Sequence, residues 1–313
     1  MKLEGTREAY GETLVALGRE NRDIVVLDAD LSRSTMTHLF AREFPERFFD
    51  CGVAEQNMMG MAAGLAASGK IPFASTFAVF ATGRCFDQLR VSAAQPHLNV
   101  KVVATHGGIS VGEDGASHHA VEDLALAMSL PGFTVIVPAD ANEAAQAVRA
   151  AAQTPGPFYI RLSRPKTPLL YDESYRFTIG KAVTLRQGKD VAIIATGLML
   201  APALEAAQAL AAEGIDCRVL SMPTLKPLDE QAVASAAAET GAIVTAEEHL
   251  EHGGLGSAVA RVVARRCPVP MEIVAIKDTY TKSGKPEELL ARHGLTAEGM
   301  AGAARKVMKR KAG

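Results

Sequence analysis

The stretch Val100-Lys101-Val102-Val103-Ala104-Thr105-His106-Gly107-Gly108-Ile109-Ser110-Val111-Gly112-Glu113-Asp114-Gly115-Ala116-Ser117-His118-His119 decides how the chain is read. Val100–Ala104 is a short, mostly apolar run of the kind that forms a strand buried on both faces. From His106 to His119 there are four glycines, three histidines and two acids in 14 residues, more than a plain connection needs. The loop leaves the carboxyl end of a strand, where open α/β sheets bind ligands. A solvated glycine-rich loop is the plain alternative. Metal binding is disfavoured, because His118 and His119 are adjacent and do not easily face one ion, and no His-x-x-x-His spacing is present.

Working outward, similar runs recur. Ile24–Asp28, Thr134–Val137 and Phe158–Leu162 lie in the first half, and Val191–Ala195, Cys217–Ser221, Ala242–Ala246 and Glu272–Ile276 in the second. Alanine-rich helices separate them. Ala141–Gln153 follows Asp140, a candidate cap, and stops at Pro155-Gly156-Pro157. Ala201–Glu213 stops at Gly214, and Ala232–Ala238 reads as plain helix. Short strands alternating with helices predict an α/β chain with two doubly wound domains and mostly parallel sheets. Residues 164–185 lack a clean period and hold Pro165, Pro168 and Gly180. The expected organisation is a domain over 1–165, a linker over 166–185 and a second domain over 186–313.

The 313 residues are 48% hydrophobic and 22% charged, enough for a sizeable core, with a net charge of −2. That balance argues against nucleic acid or an anionic membrane as partner. No apolar run approaches the ~20 residues of a membrane span, and the N-terminus shows no signal peptide. Four scattered cysteines, Cys51, Cys85, Cys217 and Cys267, suit a reducing cytoplasm rather than a disulfide framework or zinc site.

Two further stretches carry candidate chemistry. In Asp50-Cys51-Gly52-Val53-Ala54-Glu55-Gln56-Asn57-Met58-Met59-Gly60-Met61-Ala62-Ala63-Gly64, Glu55 starts a helix of small and apolar residues. Gly60 and Gly64 leave one helix face open to close approach. Burial there would suit a carboxyl that shares a proton with a ring nitrogen, although complementing the helix N-terminus is the simpler role. Arg161 and Arg164, at the end of another strand, offer planar forks suited to phosphate, and Arg7 and Ser34 are placed to converge on the same rim. Surface residues of no special role are the alternative. No Walker-type loop, dinucleotide fingerprint or serine elbow is present.

Gly52-Val53-Ala54-Glu55-Gln56-Asn57-Met58, Thr76-Phe77-Ala78-Val79-Phe80, Thr105-His106, Gly112-Glu113-Asp114-Gly115-x-x-His118 and Leu162-Ser163-Arg164 occur in that order. Together with Glu247-Glu248-His249 and Gly253-Gly254-Leu255-Gly256, they resemble the C-terminal half of transketolase, a thiamine diphosphate enzyme. The resemblance spans essentially the whole chain. It implies a pyrimidine-binding domain followed by a transketolase-type C-terminal domain, and transfer of a two-carbon ketol unit from a ketose phosphate to an aldose phosphate. It implies that Glu55 hydrogen-bonds the pyrimidine N1′ and favours the imino form, that Phe77 and Phe80 form the pyrimidine pocket, and that Asp30 is an acid near the thiazolium. His118 is implied near the reacting carbonyl, Asp114 at a substrate hydroxyl, and Arg7, Ser34, His106 and Arg164 at the phosphate of a sugar phosphate.

Four positions depart from full-length transketolases. Ala54 and Gln56 flank the glutamate where Arg and His are usual, Gly83 replaces an aromatic wall and Gly107 replaces an Asp. The flank is closer to deoxyxylulose phosphate synthase or to the β subunits of 2-oxo acid dehydrogenases, the two alternative thiamine diphosphate readings. A non-catalytic regulatory paralogue is a third. The family's Gly-Asp-Gly motif, which holds Mg2+ (or Ca2+) and the diphosphate, is absent. The resemblance therefore implies a two-subunit enzyme. An N-terminal transketolase subunit would supply the diphosphate domain and most of the metal site, around a homodimer of this chain within a heterotetramer.

Overall fold

The computed structural model describes residues 2–311; Met1, Ala312 and Gly313, at the ends of the two expected domains, lie outside the described residues. In chain order the strands are β1 Leu3–Glu4, β2 Ile24–Asp28, β3 Phe48–Asp50, β4 Ile71–Phe77, β5 Lys101–Thr105, β6 Thr134–Ile136, β7 Phe158–Arg161, β8 Thr167–Pro168, β9 Val183–Arg186, β10 Val191–Ala195, β11 Cys217–Ser221, β12 Thr224–Lys226, β13 Ile243–Leu250 and β14 Met271–Ile276. They form a seven-stranded sheet in the order β12-β6-β7-β5-β4-β2-β3 and a five-stranded sheet in the order β14-β13-β10-β11-β9. β1 and β8 make a small antiparallel pair. Within the large sheets every pairing is parallel except β12 with β6 and β9 with β11.

The strands are apolar on both sides because helices cover both sides. On one face of the first sheet, Val26, Phe73, Val103 and Ile160 pack against helices Thr6–Glu20 and Ala141–Gln153 through Leu14, Leu17, Ala147 and Val148. On the other, Leu27, Ala74, Val102 and Tyr159 pack against helix Glu55–Ala67 through Met58, Met59 and Ala62. This second core runs on into Ile194, Ile243 and Val259 of the C-terminal half, so one apolar cluster joins the two sheets. Helices Leu200–Ala212 and Ala297–Lys311 cover the outer face of the second sheet. No described helix is long and apolar enough to cross a membrane.

The alternation of strands and helices agrees with the expected α/β architecture. Helix Ala141–Gln153 has its expected limits, with the Asp140 side chain accepting from Glu143 N. Other limits move: the helix expected over Ala201–Glu213 spans Leu200–Ala212, and β13 runs on to Leu250. That extension carries three polar residues inward, where Glu247 accepts from the buried N–H groups of Leu255 and Gly256, which have no partner within the first turn of the next helix. β4, central in the first sheet, is missing from the strands expected above, because Pro72, Ser75 and Thr76 break its apolar run.

Residues 164–185 are tied down. Asp140 accepts from Leu170 N and Tyr171 N, and the Tyr175 hydroxyl donates to Glu143. β12, from the C-terminal half, hydrogen-bonds to the first sheet at β6, so strand pairing crosses the expected linker.

Candidate active site

The carboxyl ends of β2, β4, β5 and β7 deliver the candidate residues to one edge of the first sheet. β4 ends at Phe77, and helix Ala78–Gly83 then presents Phe80. β5 ends at Thr105, and His106 follows in the left-handed region at φ +60°. This turn lays the imidazole flat on Phe77, with ring centroids 3.9 Å apart, while Nδ1 meets Thr105 Oγ1 at 2.8 Å. Phe77 and Phe80 lie nearly parallel with centroids 6.0 Å apart. His118 meets Phe80 edge-on at 5.2 Å and is held by Ser117 Oγ at 3.0 Å.

Glu55 is the first residue of its helix, and its side chain is only 5% exposed. Arg84 Nη1 donates to Glu55 Oε1 at 3.0 Å, and the same guanidinium lies 4.2 Å from the centroid of Phe80. The result is a continuous row: His106, Phe77, Phe80, Arg84, Glu55. A cleft of about 420 Å³ opens at its end, lined by Val53, Ala54, Glu55, Gln56, Asn57 and Arg84. A Cβ placed on Gly83, next to Arg84 in the chain, would meet nothing within 4 Å. An acidic acceptor beside a half-exposed ring face and open space fits a flat, nitrogen-containing ring.

The basic set gathers at the other end of the row. Burial pulls the pKa of His106 down to about 3, and the positive charges of Arg7 and Arg164 add to the effect. His106 is therefore neutral at physiological pH, able both to donate and to accept. Arg7 Nη1 donates to the Ser34 carbonyl at 3.0 Å, which joins these two predicted residues. Arg164 donates to the Val111 carbonyl and lies 3.6 Å from both Glu113 and Asp114. Asp114 thus faces Arg164. Asp30 is exposed at φ +62°, with its N–H donated to Asp50 Oδ1 at 3.1 Å.

One expectation is corrected. Arg161, paired above with Arg164 as a phosphate fork, is 4% exposed and bound inward: 3.3 Å from Asp123, with Nη2 donating to the Glu248 carbonyl at 2.8 Å. It supports the site loop from behind. His119 also turns inward, to the Gly112 carbonyl and Thr281, away from His118.

Three contributors were given no role by the sequence reading. Asp28, at the end of β2, accepts from Leu31 N at 2.6 Å, Thr35 Oγ1 at 2.6 Å and Thr37 Oγ1 at 2.8 Å. Burial raises its pKa to about 6. It shapes the loop that carries Asp30 and Ser34, and its position at the end of the Ile24–Asp28 run was the available signal. Glu248 accepts from Ser110 N and so ties the C-terminal half to the site loop. Arg84 had no sequence signal, because the Arg84–Glu55 pair spans 29 positions.

Known proteins share both halves of the chain. Residues 4–168 match the transketolase pyrimidine binding domain, and residues 180–300 match the transketolase C-terminal domain. A putative transketolase C-terminal section from Methanocaldococcus jannaschii is 47% identical over 95% of this chain and 94% of its own. The 6-deoxy-6-sulfo-D-fructose transketolase subunit SqwH of a Clostridium species is 43% identical over 97% and 95% of the two chains. A solved structure described as a split gene transketolase, inactive beta4 tetramer, superposes with a TM-score of 0.92 at 53% identity, covering 98% of this chain and 99% of that one. The mostly parallel α/β sheet of residues 4–168 is thus a transketolase-type pyrimidine binding domain. The chain belongs to the transketolase family, whose enzymes use thiamine diphosphate, and these relatives of matching length include split-gene subunits.

Proposed function

We propose that this chain is the pyrimidine-binding and C-terminal subunit of a two-subunit transketolase, moving a two-carbon ketol unit from a ketose phosphate to an aldose phosphate. The observation that carries the reading is the row from Glu55 to His106, which places a buried carboxylate and a basic rim at opposite ends of one aromatic wall. When bound, thiamine diphosphate supplies the electron sink that lets a carbon–carbon bond beside a carbonyl break.

The protein's part is orientation, proton handling and charge. Glu55 shares a proton with the pyrimidine nitrogen, Phe80 and Phe77 wall the ring, and Asp30 borders the cofactor from the β2 side. His118, held edge-on to Phe80, faces the reacting carbonyl. Neutral His106, with Arg7, Ser34 and Arg164, receives the anionic end of the sugar, and Asp114 accepts from a substrate hydroxyl. A basic rim of this kind binds phosphate or another compact anion through charge-assisted hydrogen bonds.

A separate subunit carrying the diphosphate domain completes the site and holds most of the Mg2+ ligands, around a homodimer of this chain. Support comes from the relatives that match end to end and are described as sections or subunits. Glu55→Ala tests the assignment. Turnover of the purified two-subunit complex should fall by at least about 10²-fold, the lower end for a lost acid–base group, with the fold intact. Near-normal turnover would refute it.

A further inference from the structure

Arg84 meets two surfaces at once. Its planar guanidinium lies over Phe80 with Cζ 4.2 Å from the ring centroid, and it donates an N–H to Glu55 Oε1 at 3.0 Å. An aminopyrimidine bound in this pocket would use the same ring face for stacking and the same carboxylate for its nitrogen. Both groups are flat and polar at the edge. Arg84 is half exposed, follows directly on the short helix Ala78–Gly83, and lines the open cleft beside Glu55.

We propose that Arg84 is a placeholder in the pyrimidine pocket, filling the ring's position and neutralising Glu55 until the cofactor displaces it. The proposal rests on the pyrimidine-pocket reading above. The physical reason for a placeholder lies in Glu55, a carboxylate with 5% of its side chain exposed. A buried charge without a partner is costly, and the guanidinium supplies one while the pocket is empty. Stacking on Phe80 adds cation–π attraction that a simple surface ion pair lacks. Because the ring nitrogen and Nη1 compete for the same oxygen, cofactor binding and the Arg84–Glu55 bond exclude one another. The apparent affinity of the pocket is then reduced by the fraction of time that Arg84 occupies it.

The test titrates the isolated full chain with 4-amino-5-hydroxymethyl-2-methylpyrimidine, the uncharged pyrimidine half of the cofactor, followed by NMR shift perturbation. Arg84→Ala should bind the probe roughly fivefold more tightly than the unmodified chain, as expected when a competitor holding the pocket about four-fifths of the time is removed. Arg84→Lys, which keeps the charge but not the flat face, should fall between them. A residue with only a structural role would not tighten binding when removed. Unchanged or weaker binding by Arg84→Ala overturns the proposal. Glu55→Gln added to Arg84→Ala separates the two readings. If it weakens binding while Arg84→Ala gave no gain, the pocket stands and the placeholder falls. If neither protein responds to the probe, the pocket assignment itself falls.

Discussion

The Arg161 guanidinium lies 3.3 Å from the Asp123 carboxylate, both sealed from solvent, and a Cβ on Gly107 would come within 2.0 Å of Arg161 Nε. The glycine therefore exists where the buried pair presses against the site loop. Gly107→Ala has to shift either the arginine or the turn that lays His106 on Phe77. Overpacking of this kind costs about 1–3 kcal/mol, and urea unfolding should show it. Gly64→Ala is the control: its added methyl meets nothing within 4 Å on a helix face and should stabilise the isolated chain by up to about 1 kcal/mol. Equal stability of Gly107→Ala and the unmodified protein would mean that the loop is not braced this way.

Arg164 should act in substrate binding. Its guanidinium sits at the basic rim, 3.6 Å from Asp114 and near enough to His106 to lower its pKa. In the two-subunit enzyme, Arg164→Ala should raise KM for phosphorylated sugars by about tenfold, the lower end of what a charge-assisted hydrogen bond is worth. Unphosphorylated analogues should change little. Equal losses with both substrate types would show that Arg164 holds the loop rather than the anion.

Glu143 makes stability depend on pH. It is buried between the Tyr175 hydroxyl and Ala139 N, and burial raises its pKa from 4.5 to about 7. Between those values the folded chain keeps a proton that the unfolded chain has released. Its contribution is therefore fully present below pH 4.5 and is lost as pH rises to about 7, by at most about 3 kcal/mol. Glu143→Gln keeps the shape but cannot titrate, so it should lose less stability than the unmodified protein between about pH 5 and pH 7.5 in urea melts. Parallel losses in the two proteins would contradict this.

Much of the fold could be read from periodicity, because buried parallel strands and capped alanine-rich helices leave strong local patterns. Ile24–Asp28, Val191–Ala195 and Cys217–Ser221 form strands with the expected limits. β4 was hidden by Pro72, Ser75 and Thr76, which a strand inside a sheet tolerates only through its neighbours. The candidate site was partly legible. Phe77, Phe80 and His106 lie at or just after the ends of the paired strands β4 and β5, and the long loop after β5 returns His118 to them. Arg161 looked like Arg164 in sequence, and the buried partners that turn it inward, Asp123 and the Glu248 carbonyl, lie far along the chain. Glu55 starts one helix and Arg84 follows the end of another, so no spacing rule links them.

The most direct test is to assay ketol transfer with thiamine diphosphate and Mg2+, using this chain alone and then mixed with a subunit that carries the diphosphate domain and its Gly-Asp-Gly motif. The account predicts no transfer by the chain alone, transfer by the mixture, and loss of that transfer when the mixture contains Glu55→Ala. Full transfer by this chain alone would contradict it, since a diphosphate site would then have to lie within these 313 residues.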